Sequence, residues 1–388
     1  MVFAVVLLCA GVAGAIGRPR GAPAWFVPAV AAALAVATGT LPDPASALRP
    51  LAAPIAFLLC AVPLATLLER VGFFDAAART LGHGRHLALG LWVLGAVVTT
   101  ILNLDAAIVL LTPLYAQIAR RCGIDPLALA IQPVLLSCLA SSALPVSNLT
   151  NLIAASARHL STTAFLAHLG LPSLAATVVG WFVYSRVVRP GRPSVPDTGS
   201  ADRHALVLGA VIVTGVLLGF VIGPGVGLPE WATALSADAV LVGLTRQLPV
   251  RNIPWGVALV AAALGLLAAG AAAELNFHGL LDGSGNLDYL RITAVSALGA
   301  NAANNLPALL VLLPRTGTGI WALLLGVNVG PLVLVTGTLA ALLWQAGLQS
   351  IGIPISAAYF TRIGLRVMPP ALVAAFVVLV LLRPIVGG

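Results

Sequence analysis

Long apolar runs follow one another along almost the entire chain, separated by short polar segments. A membrane-spanning helix needs about 20 predominantly apolar residues. On this criterion we predict spans over 2–17, 24–41, 51–69, 86–102, 105–119, 128–141, 162–188, 205–223, 231–245, 254–272, 288–303, 319–330 and 356–386. The pattern predicts an all-α fold, a polytopic transmembrane bundle of about 10–13 helices.

Three further apolar pieces, at 143–156, 305–314 and 333–348, are too short or too polar to span the membrane simply. Backbone at membrane depth that is not helical must be buried in protein or line a water-filled cavity. We therefore interpret these pieces as half-helices or re-entrant hairpins.

The composition favours an integral membrane protein over a soluble one. Of 388 residues, 60% are hydrophobic and 8% charged, and the mean hydropathy is +1.05. About a quarter of the residues of a typical soluble protein are charged, so much of the apolar surface here must face lipid. The expected location is a bacterial inner membrane, crossed many times.

The formal net charge is +8, and every basic residue is an arginine. The arginines lie in short loops between apolar runs, which is typical of topology signals and not of nucleic-acid binding. If the spans alternate, one side carries Arg18, Arg20, Arg70, Arg79, Arg85, Arg120, Arg121, Arg186, Arg189 and Arg192. The positive-inside rule makes that side cytoplasmic and places the N-terminus outside.

A proline-rich polar segment divides the chain near its middle and suggests an internal repeat. The predicted units are a first transmembrane repeat at 1–188, a polar linker at 189–204 and a second repeat at 205–388. In both halves an asparagine is followed ten positions later by a proline, from Asn103 to Pro113 and from Asn304 to Pro314. We expect the two repeats to be inverted relative to each other.

After each of these runs, a polar interruption stands inside apolar sequence, at 141–151 and at 328–338. Prolines prevent continuous helical hydrogen bonding, and asparagine or serine can cap a new half-helix. Half-helix N-termini then offer N–H groups to a solute near the bilayer midplane. The predicted substrate or ion-binding residues are Asn103, Ser147, Asn148, Thr150, Asn151, Asn304, Asn305, Asn328, Thr336, Gly337 and Thr338.

Asp105 lies between apolar runs, where a carboxylate costs about 2.5–3.5 kcal/mol on insertion scales. We predict that Asp105 takes up and releases the coupling proton. Asp238 lies in another apolar run without a comparable polar motif, so a structural role is favoured there. The four cysteines show no metal-binding spacing, and neither a cofactor nor a metal site is expected. Cys138 is interpreted as a small buried hydrophobe.

A simpler interpretation of each asparagine or serine is a hydrogen bond that holds two membrane helices together. Two matching clusters at helix breaks favour a binding site instead, because breaks at membrane depth need polar partners.

Several motifs, in this order along the chain, resemble the arsenical pump permease family within the ion transporter superfamily. They are the stretches 73–77 (FFDAA), 105–113 (DAAIVLLTP), 145–151 (PVSNLTN), 304–307 (NNLP), 330–344 and 355–362 (ISAAYFTR). The resemblance covers nearly the whole chain. It also covers the Ser-Asn-Thr hairpin signature of the superfamily, to which 147–150 is similar.

The resemblance implies export of arsenite or antimonite, as a neutral As(OH)₃-like solute, in exchange for protons by alternating access. It also implies a homodimer, and transport either alone or with an ATPase partner. This chain departs from the family at Cys138, where an acidic residue is usual, and at Asn328 and Leu332, where an acid and a base are usual. With these acidic residues missing, Asp105 is nearly the only candidate for the proton carrier.

Two alternatives stay open at this point. A sodium-coupled dicarboxylate transporter or a sodium/proton antiporter of the same superfamily would use Asn148, Thr150 and backbone carbonyls as Na⁺ ligands. A membrane-embedded enzyme would need a catalytic motif such as HExxH or GxSxG, and the sequence contains neither. An enzyme is therefore not expected.

Overall fold

A computed structural model describes residues 3–41, 43–80, 86–101, 104–191, 202–274 and 279–386. Within these residues the chain is mostly helical and contains no β-strand. The helices are α1 (Phe3–Gly17), α2 (Phe26–Ala37), α3 (Pro44–Arg70), α4 (Phe73–Thr80), α5 (Leu87–Ile101), α6 (Leu104–Arg121), α7 (Pro126–Ala130), α8 (Gln132–Leu139), α9 (Leu149–Arg158), α10 (Thr162–Phe165), α11 (Leu171–Val187), α12 (Arg203–Ile222), α13 (Glu230–Thr245), α14 (Trp255–Glu274), α15 (Asn286–Ala303), α16 (Asn305–Leu312), α17 (Ile320–Val329), α18 (Leu339–Ser350) and α19 (Ala357–Val386).

The outer helices present an apolar surface that suits lipid. Four stretches are long and apolar enough to cross a membrane alone, namely Pro44–Arg70, Thr162–Val187, Val250–Ala272 and Ala357–Val386, and shorter apolar helices pack beside them. Val211 of α12 is 63% exposed and Leu381 of α19 is 65% exposed. Keeping such side chains in water would cost about 25 cal/mol per Å². The predicted all-α polytopic bundle is confirmed.

Side-chain contacts show which helix ends lie together. The backbone N–H of Ala4 donates to the carboxylate of Glu274 at 3.0 Å, and Arg383 donates to the Asn286 side chain at 2.9 Å. These residues mark the end of the bundle where α1 begins. We call the opposite end, which carries Arg18, Arg70, Arg120, Arg121, Arg186 and Arg189, the arginine-rich end.

Two helix pairs enter the bundle and turn back without crossing it. The Tyr115 hydroxyl of α6 donates to the Leu91 carbonyl of α5 at 2.5 Å, as an antiparallel pair centred near residue 103 requires. In α15, a Cβ added at Gly299 would lie 3.6 Å from Leu312 of α16, which centres that pair near Asn304. Both pairs end inside the bundle and not at its surface, because near their tips Thr100 donates to the carbonyl of Ala140 and Asn304 to that of Thr336, each in an interruption between two other helices. The predictions that 86–102, 105–119 and 288–303 span separately are therefore wrong. A run of about 15 apolar residues has the same pattern whether it crosses or turns back.

Two other elements cross the bundle as broken helices. The first runs from α7 and α8, through an interruption at 140–148, into α9; the second runs from α17, through 330–338, into α18. Arg158 at the end of α9 donates to the Leu313 carbonyl at the foot of α16 at 2.8 Å. Arg120 at the end of α6 donates to the carbonyl of Ile351, just after α18, at 3.2 Å. The two broken helices therefore leave the bundle at opposite ends, as an inverted repeat requires.

The short apolar pieces predicted as half-helices or re-entrant hairpins correspond to α9, α16 and α18. The predicted linker 189–204 lies largely outside the described residues, so the boundaries at 1–188 and 205–388 stay predictions.

Candidate functional site

The first helix break is shaped by asparagine side chains. Asn148 is the N-cap of α9, and its Oδ1 accepts from the backbone N–H of Thr150 at 3.1 Å. Asn151 Nδ2 donates to the carbonyls of Ser141 at 2.9 Å and Leu144 at 3.0 Å. These bonds satisfy backbone groups that the interruption frees and that lipid could not satisfy.

Asn328, near the end of α17, joins this break to the second repeat. Its Oδ1 accepts from Asn148 Nδ2 at 3.1 Å and from the Thr150 hydroxyl at 2.8 Å. Its Nδ2 donates to Asn151 Oδ1 at 2.7 Å. We call Asn148, Thr150, Asn151 and Asn328 the amide network. All are buried, so the predicted residues of the two halves do meet inside the protein.

At the second break, as at the first, a polar side chain caps the helix that follows. Thr338 is the N-cap of α18, and its hydroxyl accepts from the backbone N–H of Ala341 at 2.9 Å. Asn304, at the tip of the α15–α16 hairpin, donates to the Thr336 carbonyl at 2.9 Å. Asn304 has φ 83° and ψ 148°, outside the ordinary L-residue regions. The tip asparagine thus ties the second hairpin to the second break.

Two residues that the sequence analysis missed tie each hairpin to the break of its own repeat. The Thr100 hydroxyl donates to the Ala140 carbonyl at 2.9 Å, and Asn301 Nδ2 donates to the Gly330 carbonyl at 2.8 Å. Asn301 Oδ1 also accepts from the backbone N–H groups of Val333 and Leu334 at 3.2 and 3.1 Å. Thr100 and Asn301 each stand three positions before the asparagine that begins the Asn-to-Pro run of their repeat, Asn103 or Asn304. That shared offset is the signal that could have found them.

Close helix packing holds the second break in place. A Cβ at Gly364 of α19 would lie 1.8 Å from the Leu332 carbonyl oxygen, and one at Gly337 would lie 2.7 Å from that of Pro331. Real Cβ atoms do not approach so closely, so both positions depend on glycine. Gly337 therefore contributes by its lack of a side chain.

Asp105 lies where the half-helices converge. It stands in the first turn of α6 and lines a cavity of 140 Å³ with Leu149 and Leu339, the first residues of α9 and α18. Helix N-termini carry a partial positive charge that favours an anion nearby. A carboxylate at this position lies near the N-termini of both α9 and α18 and is attracted to both.

The remaining predicted residues, Ser147, Asn305 and Asn103, differ in what the structure shows of them. The Ser147 hydroxyl donates to the Thr100 carbonyl at 2.5 Å, which joins the first break to the first hairpin. Asn305 is buried as the first residue of α16. Asn103 lies outside the described residues, so its predicted role is untested.

Cys138 and Asn328 stand at matching positions, each ten residues before the N-cap of the following half-helix. Cys138 is buried, and the Ser137 hydroxyl lies 3.9 Å from its sulfur. Asp238 of α13 is 8% exposed, and its Oδ1 has no hydrogen-bond partner within the described part of the chain. It lines none of the four cavities described for this structure.

A larger cavity, of 760 Å³, reaches the second break. Its inner wall is formed by 334–336, and residues at the arginine-rich end, including Arg18 and Ser356, form its outer wall. A separate cavity of 500 Å³ touches the first break at Ala140 and Ala143 and is lined mostly by apolar side chains of α5 and α11.

Comparison with known proteins shows to which family the chain belongs. A family model described as "Citrate transporter" matches residues 15–332. The chain belongs to the citrate transporter family. An arsenical pump membrane protein of Yersinia enterocolitica is 26% identical to it over 95% of each chain. One of Escherichia coli is 26% identical over 84% of this chain and 85% of its own.

The resemblance to arsenical pump permeases is thereby confirmed. As a member of the citrate transporter family, the protein is a multi-pass transporter of a bacterial inner membrane. Its helix breaks, hairpin tips and Asp105 are the candidate transport site.

Proposed function

We propose that this citrate transporter family member exports a small neutral metalloid hydroxide, arsenite or antimonite, in exchange for protons by alternating access. The similarity to arsenical pump membrane proteins over most of the chain supports this solute. The chemistry of the site agrees, because its buried polar groups are mainly amides and hydroxyls, which suit a neutral hydrogen-bonding solute.

The observation that carries the proposal is the convergence of chain breaks from both repeats at one place. The amide network joins the first break to α17, and Asn304 and Asn301 join the second hairpin to the second break. Broken helices of this kind bind solute and coupling ion in secondary transporters. Rocking one repeat against the other would then expose the site alternately to each end.

Asp105 is the proposed proton carrier. A carboxylate between two half-helix N-termini is attracted to them when charged and much less so when protonated. Proton uptake would therefore loosen the attraction between α6 and the breaks, and proton release would restore it. This change in attraction couples proton movement to the movement of the hairpin.

A sodium-coupled carboxylate carrier is the second candidate, and the family description favours it. Such a carrier would need cationic or metal-bound groups at the solute. Among the described residues that line the 760 Å³ cavity, Arg18 is the basic one, and it lies at the mouth. In the amide network, the Asn148, Thr150 and Asn151 side chains bond to Asn328, so the network is held together without an ion.

The test is uptake into everted membrane vesicles with an acidic interior. The proposal expects As(III) to accumulate as protons leave, and to do so without Na⁺. Absent As(III) uptake together with Na⁺-driven citrate uptake would overturn it and favour the second candidate. Arsenite resistance conferred on a sensitive host, without sodium resistance, is the corresponding growth result. The homodimer and the ATPase partner stay predictions.

A further inference from the structure

The helices α11 and α19 lie side by side and run in opposite directions. α11 ends at the arginine-rich end, with Arg186 in its last turn and Arg189 just after it. α19 begins at the same end, because Arg120 donates to the carbonyl of Ile351 just before it, and Arg383 near its other end contacts Asn286 at the opposite end of the bundle. The two helices pack against each other extensively. Residues near the end of α11 therefore lie beside residues near the start of α19.

Each of these helices has an exposed face that is mostly apolar and carries arginines at one end. The exposed residues recur every three or four positions, so they lie on one face of the helix. The face includes Phe182, Arg186 and Arg189 of α11 and its C-terminal end, and Arg362, Arg366 and Val373 of α19. Because the protein spans the membrane, these apolar faces contact lipid and their arginines lie near the boundary with water. We call Arg186, Arg189, Arg362 and Arg366 the arginine cluster.

The side chains of the two helices lean toward a common depth. Helical side chains point toward the N-terminus of their own helix. On α11 this direction leads into the membrane, and the Arg186 guanidinium lies 5.8 Å from the centre of the Phe182 ring and donates to the Phe182 carbonyl at 3.1 Å. On α19 it leads outward, from an Arg366 backbone that lies roughly 13 Å along the helix from Ala357. The cluster therefore gathers positive charge at the depth of lipid headgroups.

Neither helix supplies a negative charge that balances the cluster. The segments 171–191 and 353–386 contain no Asp or Glu. The described acids at this end are engaged elsewhere, namely Asp75 with Arg79 and Arg121, Glu69 with Gln117, and Asp125 as the N-cap of α7. Arg362 and Arg366 have no ion-pair or hydrogen-bond partner among the residues that the structure describes. An anion from outside the chain can therefore bind them.

A simpler interpretation is that these arginines act only as topology signals. Arg246 and Arg251 fit that interpretation, because they are exposed between α13 and α14. Arg362 and Arg366 differ from them, since both stand inside a spanning helix, on its lipid face and beside the arginines of a second helix. Basic pockets between membrane helices on the cytoplasmic side bind lipid headgroups, and guanidinium groups bind phosphate through paired hydrogen bonds. The placement favours a lipid phosphate.

We infer that the arginine cluster binds the phosphate of an anionic phospholipid in the cytoplasmic leaflet, with the acyl chains along the apolar faces of α11 and α19. The site lies across α19 from the second break. Gly364, between Arg362 and Arg366 in sequence, is buried on the other face, where an added Cβ would lie 1.8 Å from the Leu332 carbonyl oxygen. A bound lipid therefore holds α19 against that break. The inference goes beyond the proposed function and does not depend on the transported solute.

Lipid binding to the detergent-purified full chain tests the site, with phosphatidylglycerol as the probe and native mass spectrometry as the measurement. Arg362→Gln/Arg366→Gln should bind the lipid roughly thirtyfold more weakly than the wild type, because each arginine near a headgroup contributes about 1 kcal/mol. The matched control is Arg246→Gln/Arg251→Gln, which removes the same charge from the same end and should keep the wild-type affinity. Equal affinities of the two glutamine variants would overturn the site.

Two further measurements distinguish the lipid from other occupants of this face. Inorganic phosphate should not displace phosphatidylglycerol, because the lipid is also held by its acyl chains. Displacement by phosphate at similar concentration would show a site for a soluble anion instead. Arg362→Cys in a protein without other cysteines should not form a disulfide between two copies in membranes. Such a disulfide would show that a second copy covers the face, and would overturn the inference.

Thermal unfolding tests whether the lipid stabilises the packing of α19. Phosphatidylglycerol should raise the unfolding temperature of the wild type and of Arg246→Gln/Arg251→Gln, because a ligand that binds only the folded state stabilises it. The rise should be lost in Arg362→Gln/Arg366→Gln and largely kept in Arg362→Lys/Arg366→Lys, which retains the charge. An equal rise in all four proteins would show that the lipid acts elsewhere.

Discussion

Asp105 and Asp238 are both acids in helices at membrane depth, yet their surroundings differ. Asp105 lines a cavity with the first residues of two half-helices. Asp238 is buried in α13, with one carboxylate oxygen that lacks a partner within the described residues. We propose that a change in charge affects transport where the carboxylate faces the helices that move. On this proposal Asp105 carries the coupling proton and Asp238 does not.

Asp105→Asn should therefore abolish pH-gradient-driven As(III) flux while leaving protein abundance and folding intact, because the amide cannot carry a proton. Asp105→Glu should keep part of the flux. The matched control is Asp238→Asn, which should transport near the wild-type rate. An Asp105→Asn protein that retains pH-driven flux would place the coupling group elsewhere.

The amide network should contribute to the free energy of unfolding, and substitutions of its side chains can measure this contribution. Asn328→Leu leaves the donors of Asn148 and Thr150 and the acceptor of Asn151 without their partner, which should cost at least about 1–3 kcal/mol. Thr150→Val removes one member only and should cost less. Because both changes act on one network, the double variant should cost less than the sum of the singles. Additive losses in thermal unfolding of the detergent-purified protein would contradict the network.

At the scale of elements, the shape of the second break depends on backbone that comes too close for side chains. Gly337→Leu should stop transport, because its Cβ would lie 2.7 Å from the Pro331 carbonyl oxygen. The matched control is Gly347→Ala in α18, where an added Cβ meets no atom within 4 Å. Transport at the wild-type rate by Gly337→Leu, with Gly347→Ala unchanged, would contradict the observed break.

The same scale shows where sequence reasoning succeeds and where it fails. Apolar length predicted the helices well, because lipid requires continuous apolar surface wherever a helix faces it. Length could not separate a span from half of a hairpin, so α5 and α6 were predicted to cross. What decides is where the tip of the pair lies: Thr100, close to the tip, donates to the Ala140 carbonyl at the first break, and no local pattern encodes that contact.

The candidate site was likewise predicted in part. Asn148, Thr150, Asn151 and Asn328 stood out because polar residues in apolar runs need partners, although their pairing was not foreseen. Thr100 and Asn301 were missed because a single threonine or asparagine in an apolar run could equally bond another helix. Their bonds to the Ala140 and Gly330 carbonyls are visible only in the folded chain.

At the scale of the whole molecule, the inverted repeat places one hairpin and one broken helix at each end of the bundle. Arg120 binds the carbonyl after α18 at the arginine-rich end, and Arg158 binds the foot of α16 at the other. Each contact joins a hairpin of one repeat to a broken helix of the other. We propose that each contact restrains the hairpin at its own end, and that movement of a hairpin breaks the contact at that end.

These two contacts give a whole-molecule prediction. Arg158→Gln should weaken the closure of the end where α1 begins, and so increase labelling of cysteines near the breaks from that side. Arg120→Gln should favour opening at the arginine-rich end instead. The same labelling change in both variants would show that the arginines do not control separate ends.

The proposed mechanism requires chain breaks from the two repeats to meet inside the bilayer. The most direct measurement is oxidative cross-linking of Asn148→Cys with Asn328→Cys in a protein without other cysteines, followed by mass spectrometry of the joined peptides. We predict an efficient disulfide for this pair, because the native side chains approach to 3.1 Å, and none for Asn148→Cys with Asn286→Cys at the foot of α15. If positions 148 and 328 form no cross-link in membranes although both thiols are shown to be present, the two breaks do not meet.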